Sequence, residues 1–440
     1  MHGNNTDTST RNQVLMVSHP KKYMFYISMG NFLENYDFAL YIHFAAILSY
    51  LFFPPYFNPD DSIIFGFCMT LICSLCGTLI WGYIADTRGR RVPLIWSCMI
   101  SAVVFFLIPI QGIFLERTLY SAFLFCLLRG IADFALTGEY LSSNIYIAES
   151  YSKSQTAYYS GLLDLVCNLG VVASLVISFI SLRFLPQKIY EVPSWTFPFF
   201  IGSIVALVGY QTRKKVKESL DYTILKYSSE EKIVSIKEIY LYYKHNILRI
   251  VGIELLFGFG FVFVYVFCVK LLVEAKMSPS EILLNNAIVA LIQGLSSYMW
   301  GWLAYDYDPI KITKMRSYLL LIWILSLGIC FSSFITSPVE IFVCQCFSVI
   351  LGVDHIPSIG VLLKGLPIQA RSRTFNKAFF IGKTVMYILT SFVIYKLSDM
   401  FGFNIIFYAW LIIGVIFSYC IHTYIQYENI PFENKMRFLH

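Results

Sequence analysis

Glu34 and Asp37 stand three residues apart in one apolar segment, and Arg129 and Asp133 stand four apart in another. At those spacings each pair shares one face of a helix. An ionisable group in apolar surroundings is costly unless it is paired or faces water, so each is a functional candidate. Glu139 and Asp164 complete the set in the first half of the chain; Glu254, Asp354, His355 and Lys383 form a sparser set in the second. Two kinds of chemistry suit these residues. A desolvated carboxyl group can load and release a proton near neutral pH. A guanidinium grips a carboxylate bidentately, which an ammonium does not. A plainer role is open for Arg129: it can neutralise Asp37 or Asp133 and tie two helices together, and a pair that opens when a ligand arrives would do both. His355 beside Asp354 reads as a packed, hydrogen-bonded histidine or as a relay. Lys383 is long enough to snorkel toward the cytoplasm.

These groups need elements to hold them, and the composition says which. Apolar residues make up 57% of the chain, charged residues 14%, and the mean hydropathy is +0.65. A soluble chain of 440 residues needs a charged surface that this one lacks, whereas a lipid-facing surface calls for apolar side chains. A bilayer span takes roughly 20 apolar residues at about 1.5 Å each. Twelve such runs begin near Tyr23, Ser62, Pro93, Leu119, Tyr158, Trp195, Ile247, Ile282, Thr313, Val339, Phe375 and Gly402. The sequence thus predicts an all-α integral membrane protein. Its parts are an N-terminal tail (1–22), a six-helix bundle (23–212), a central loop (213–245), a second six-helix bundle (246–425) and a C-terminal tail (426–440). Six runs on each side of a polar loop is the pattern of a transporter built from two repeated halves.

Orientation follows from Lys and Arg. With the N-terminus inside, the inner segments carry Arg88, Arg90, Arg91, the run Arg213 to Lys217, and Arg371 and Arg373, while the outer segments carry few. The bias is roughly fourfold and alternates correctly over the runs, which places both termini in the cytoplasm. Span one then runs outward and span four back. Counting residues, Asp37 and Arg129 fall at similar depth, so a polar cluster between spans one and four is expected.

The loop between spans two and three reads Gly82-Tyr-Ile-Ala-Asp86-Thr-Arg88-Gly89-Arg90-Arg91. It resembles the G-x-L-A-D-x-x-G-R-R signature of the major facilitator superfamily, in the corresponding loop. The segment Gly30-Asn-Phe-Leu-Glu34-Asn35-Tyr-Asp37-Phe-Ala-Leu-Tyr41 is similar to the G-N-F-L-E-W-Y-D-F-A-L-Y segment of the metabolite:proton symporters, with Asn35 in place of Trp. Those carriers take proline/betaine, α-ketoglutarate, citrate or shikimate. In span four, Arg129, Gly138, Glu139, Tyr140 and Glu149 fall on the same family's R…G-G-E-Y…Y-x-A-E pattern. The resemblance implies the major facilitator fold of twelve helices in two bundles and a loop that governs closure between the halves. It also implies a small solute moved by alternating access, with protons as coupling ion, no cofactor, a monomer as the working unit, and a bacterial inner membrane. Glu34, Asp37, Arg129, Asp133, Glu139 and Asp164 become the expected solute and proton groups.

Several positions depart from the pattern. Ala132 and Asp133 replace Gln-Gly, Asp164 stands where Gln is usual, Lys364 replaces a Glu, and Gly301 to Asp306 keep a remnant of the loop signature. The resemblance leaves a zwitterion and a dicarboxylate both open, with a proline- or betaine-like solute the first expectation. An uncoupled facilitator or exchanger is the alternative. Osmosensing relatives continue into a long C-terminal helix, and no such sensor is expected past span twelve.

Other classes find little support. The net charge of +6 lies in the inner loops, so it does not imply nucleic acid. Cys73 and Cys76 form a CxxC inside an apolar run without a second pair, which reads as buried thiols rather than a metal or redox site. There is no G-x-S-x-G, no H-E-x-x-H and no filter motif, so neither an enzyme nor a channel is expected.

Overall fold

A helix in lipid turns its small and polar residues inward, the reverse of a soluble helix. The segment Arg91–Phe114 does so: Ser97, Ser101 and Ala102 are buried, while Trp96, Met99, Val103 and Phe106 are exposed. The structure is a computed structural model that describes residues 20–56, 59–115, 117–184, 186, 188–189, 192–227, 236–334, 337–352, 356–390, 397, 400 and 404–428.

The first half is built of helices α1 (Pro20–Phe52), α2 (Pro59–Arg88), α3 (Arg91–Phe114), α4 (Leu119–Ser150), α5 (Lys153–Arg183) and α6 (Phe197–Arg213). A two-residue ladder between Lys188–Ile189 (β1) and Val192–Pro193 (β2) precedes α6. A short helix, α7 (Leu220–Tyr227), follows it, and then α8 (Ile236–Val262) begins the second half. A π-helical turn at Phe263–Phe267 breaks α8, and the helix resumes as α9 (Cys268–Glu274). Next come α10 (Pro279–Asp306), α11 (Pro309–Phe334), α12 (Pro338–Gly352), α13 (Ile359–Lys364), α14 (Arg371–Ile388) and α15 (Asn404–Glu428). Ser278 and Glu281 close α10 with a reciprocal capping box.

A helix stands at each of the apolar runs read from the sequence. Among the described residues, 7 helices are long and apolar enough to cross a membrane. The segment 213–245, read as a loop, contains α7, and α8 starts at Ile236, well ahead of the apolar run at Ile247. Its first turns hold Lys237, Glu238 and Lys244, polar but good helix formers. Hydropathy marks where a helix meets lipid, not where it begins.

Contacts divide the chain into two compact units, Met1–Ser150 with Val166–Glu231, and Tyr151–Leu165 with Lys232–His440. In the first, α4 packs on α2 and α3, and α6 packs on α3 and α1. Its core is aromatic: Phe52 stacks on Phe125 at 4.3 Å between centroids and meets Trp195 edge-on. In the second, α8 packs on α14 and α15, and α11 packs on α15. Trp410 lies 4.1 Å from the ring of Phe263. The beginning of α5 counts with this second unit, where it crosses α10 at a pair of glycines. A Cβ on Gly161 would stand 2.6 Å from the Ser297 carbonyl oxygen, and one on Gly301 2.7 Å from that of Ala157.

Candidate functional site

The residues singled out by their chemistry resolve into four separate groups. The first joins α1 to α4. Asp37 and Arg129 form an ion pair, and the other arm of the guanidinium, Nη2, lies 2.9 Å from Oδ1 of Asp133. The Tyr41 ring, one turn along from Asp37, lies under the guanidinium, its centroid 4.3 Å from Cζ. The helix spacing of Arg129 and Asp133 and the matching depth of Asp37 produce this group. Fully ionised, these three side chains together carry one formal negative charge. Asp37 and Arg129 are both buried, and Asp37 Oδ1 and Arg129 Nε have no hydrogen-bond partner among the described residues.

Glu139 does not join that group. Ten residues beyond Arg129 on α4, it lies about 15 Å further along the helix. It pairs with Arg213 at the end of α6, with both side chains fully buried, and accepts hydrogen bonds from Ser97 and from Cys98, the latter at 3.2 Å. Arg213 also donates to the carbonyls of Leu94 at 2.9 Å, Tyr26 and Ile27. Gly30 makes room for the pair, because a Cβ there would overlap the Glu139 carboxylate and the guanidinium. Glu34, one turn from Gly30, acts electrostatically on Arg213. Thus Asp37 pairs with Arg129, while Glu34, three residues before it, lies within electrostatic range of Arg213. Arg213 was counted from the sequence among the loop cations, and nothing in its sequence context separates it from Lys214, Lys215 and Lys217.

The third group is the loop motif. Gly82, Asp86, Gly89 and Arg90 are buried, Arg91 is half-buried and Arg88 is exposed. Gly89 adopts a φ of 105°, which a side chain would strain. Arg90 spans Asp86 at 3.0 Å and Glu149 at 2.8 Å. Glu218 accepts from the backbone N–H of Arg90 at 2.8 Å and of Arg91 at 3.2 Å, so a carboxylate caps the start of α3. Ser219 donates to Glu149 at 2.6 Å, and the Tyr222 hydroxyl donates to the Thr87 carbonyl at 3.0 Å. Burial alone would lower the pKa of Arg90, but the carboxylates of Glu149, Asp86 and Glu218 outweigh it and hold the group above its ordinary value. Burial pushes the Glu218 carboxyl up, and the N–H bonds it accepts pull partly back. Nothing in the sequence marks Glu218, Ser219 or Tyr222 as partners of this loop. The run Lys215-Val-Lys-Glu-Ser-Leu reads as an ordinary charged loop.

Asp164 forms the fourth group, within the second unit. It is buried on α5, within electrostatic range of the Tyr265 hydroxyl on the π-helical turn. Tyr265 donates to Gln293 Oε1 at 3.0 Å. Gln345 donates to the Val264 carbonyl and accepts from Asn285, both at 2.8 Å. Lys383 sits over the rings of Phe257 and Phe379, 5.9 and 5.8 Å from their centroids. Lys364 donates to the Tyr151 carbonyl. Asp354 and His355 lie outside the described residues. Among the described residues no His/Cys/Asp/Glu group is arranged to hold a metal ion.

Comparison with known proteins agrees with the helical architecture. The family model described as Major Facilitator Superfamily matches residues 28–375. A Staphylococcus haemolyticus protein, provisionally named a proline/betaine transporter, is 32% identical over 206 residues, 46% of this chain and 44% of that one. The "Proline/betaine transporter" of Salmonella typhimurium is 23% identical over 197 residues, 44% of this chain and 39% of that one. The chain therefore spans under half the length of these curated relatives. A solved proton:xylose symporter bound to 6-bromo-6-deoxy-D-glucose superposes with a TM-score of 0.72 at 17% identity, covering 94% of this chain and 96% of that one. An outward-conformation transporter, FucP, does so with a TM-score of 0.73 at 11% identity, covering 92% and 99%. At such identities these structures speak for the fold alone.

Proposed function

Because the chain belongs to the Major Facilitator Superfamily, we propose that it is a secondary transporter that couples protons to the movement of a small zwitterionic or carboxylate solute. The observation that carries this reading is the group of buried Asp37 and Arg129 with half-buried Asp133. With one cation and two carboxylates it holds an excess negative charge inside a membrane protein, and one proton cancels that excess. Protonation of either carboxyl group leaves Arg129 held by a single carboxylate. The freed N–H groups can then take a carboxylate of the solute, for which a guanidinium is well shaped. Proton and solute would thus favour the same state of the group, which is the requirement for symport by alternating access.

The names of the curated relatives support a proline- or betaine-like solute as the first to try. The distribution of Lys and Arg supports both termini in the cytoplasm, and the bacterial source of the curated relatives supports a bacterial inner (plasma) membrane. Protons would be the sole coupling ion, no cofactor would take part, and a monomer would suffice.

The test is uptake into proteoliposomes with an imposed inward proton gradient, using labelled proline, glycine betaine, α-ketoglutarate, citrate and shikimate, with Arg129→Ala as control. Uptake driven by the gradient and lost in the control is expected. Uptake indifferent to the gradient would replace symport by an uncoupled facilitator or exchanger.

A further inference from the structure

In the second unit, the crossing of α5 and α10 at Gly161 and Gly301 sets the geometry of what lies beyond it. The contacts run in antiparallel order: Tyr158 faces Tyr298, with hydroxyls 3.3 Å apart, and Gly161 meets Ser297. One further turn along α5 is Asp164, and one turn back along α10 is Gln293. The π-helical turn carries Tyr265, bonded to Gln293 at 3.0 Å and within electrostatic range of Asp164.

The direction of the Tyr265 hydrogen bond decides the character of this place. Its single proton is given to Gln293 Oε1, so the phenolic oxygen has only lone pairs left to offer. Asp164 adds a carboxylate, and Tyr265, tilted against Phe261 at 5.2 Å, adds an aromatic face. Lone pairs, a negative charge and a π-face favour a cation and disfavour a carboxylate.

We infer that Asp164 and Tyr265 form a subsite for an ammonium or alkylammonium group of the transported solute. The inference rests on the transport reading above and narrows it, since it selects a zwitterion over a dicarboxylate.

Binding measured on the full-length protein in detergent separates this inference from coupling. Glycine betaine and 3,3-dimethylbutyrate differ only in replacing N⁺ by C, so their affinity ratio reports recognition of the cation. The wild-type protein is expected to prefer betaine, or proline over a deaminated analogue, by about tenfold or more, the scale of one cation contact. Asp164→Asn and Tyr265→Leu should each shrink that ratio toward one, and Tyr265→Phe, which keeps the ring but loses the lone pairs, should reduce it in part. Should Asp164→Asn fail to fold, Tyr265→Leu alone carries the comparison. Equal affinity for the two isosteres, a ratio unchanged in the variants, or binding confined to solutes without an ammonium group would overturn the inference. Loss of gradient dependence in vesicles, with the binding ratio intact, would sink the coupling proposal and leave this one standing.

Discussion

Arg213 and Glu139 form an ion pair in which neither side chain reaches solvent, although Arg213 is the last residue of its helix and opens a run of loop cations. The pair is anchored on three backbone carbonyls, those of Tyr26, Ile27 and Leu94, and on Ser97, so it gathers α1, α3, α4 and α6 at one point. Removing one partner of a buried pair leaves a bare charge and costs about 3–5 kcal/mol, whereas removing both costs far less. Glu139→Gln and Arg213→Met should each lower the melting temperature in detergent, and the double variant should recover most of the loss. Additive losses would show that the two residues stabilise the bundle independently.

Arg129 should not be replaceable by lysine. It serves Asp37 with one arm and Asp133 with the other over the Tyr41 ring, a fork that a single ammonium cannot reproduce. Arg129→Lys is expected to lose gradient-driven uptake tenfold or more. Asp37→Asn should abolish accumulation while solute exchange persists. Retention of accumulation in Asp37→Asn would assign the proton elsewhere.

The glycine crossing in the second unit leaves no room for a side chain. Gly161→Leu would drive a side chain into the backbone of α10 at Ser297. Overpacking of this kind costs roughly 1–3 kcal/mol or more. The expected result is a lower melting temperature and impaired transport, while Gly328→Ala, with nothing within 4 Å of its Cβ, should be neutral.

Glu218 caps the first turn of α3 from a distant part of the chain. Glu218→Ala should cost about 1 kcal/mol, typical of a lost cap, and expose the 82–91 loop to limited proteolysis. Glu218→Gln, which can still accept from one N–H, should lie between. Identical cleavage rates in all three proteins would show that the contact does not hold the loop closed.

Truncation in the aromatic core has a larger effect. Phe52→Ala removes the stack on Phe125 and the edge contact to Trp195, with an expected loss of roughly 3–5 kcal/mol. Phe184→Ala, on an exposed ring, is the comparison that should change little.

The sequence by itself determined the helices, the family and the first charged group, because each is a local property or a count along a helix. Apolar length specifies a span, the Gly82–Arg91 signature lies within one loop, and the rise per residue puts Asp37 level with Arg129. Tertiary structure decided which charge answers which. Glu139 pairs with Arg213, a residue that composition files with the loop, and Glu34 acts electrostatically on that same cation. Glu218, Ser219 and Tyr222 gain meaning only when α7 meets the loop, and Tyr265 and Gln293 only when a π-turn aims one at the other. Hydropathy sums over neighbours in the chain, whereas an ion pair or hydrogen bond depends on a few ångströms between atoms far apart in it, and only packing fixes that distance.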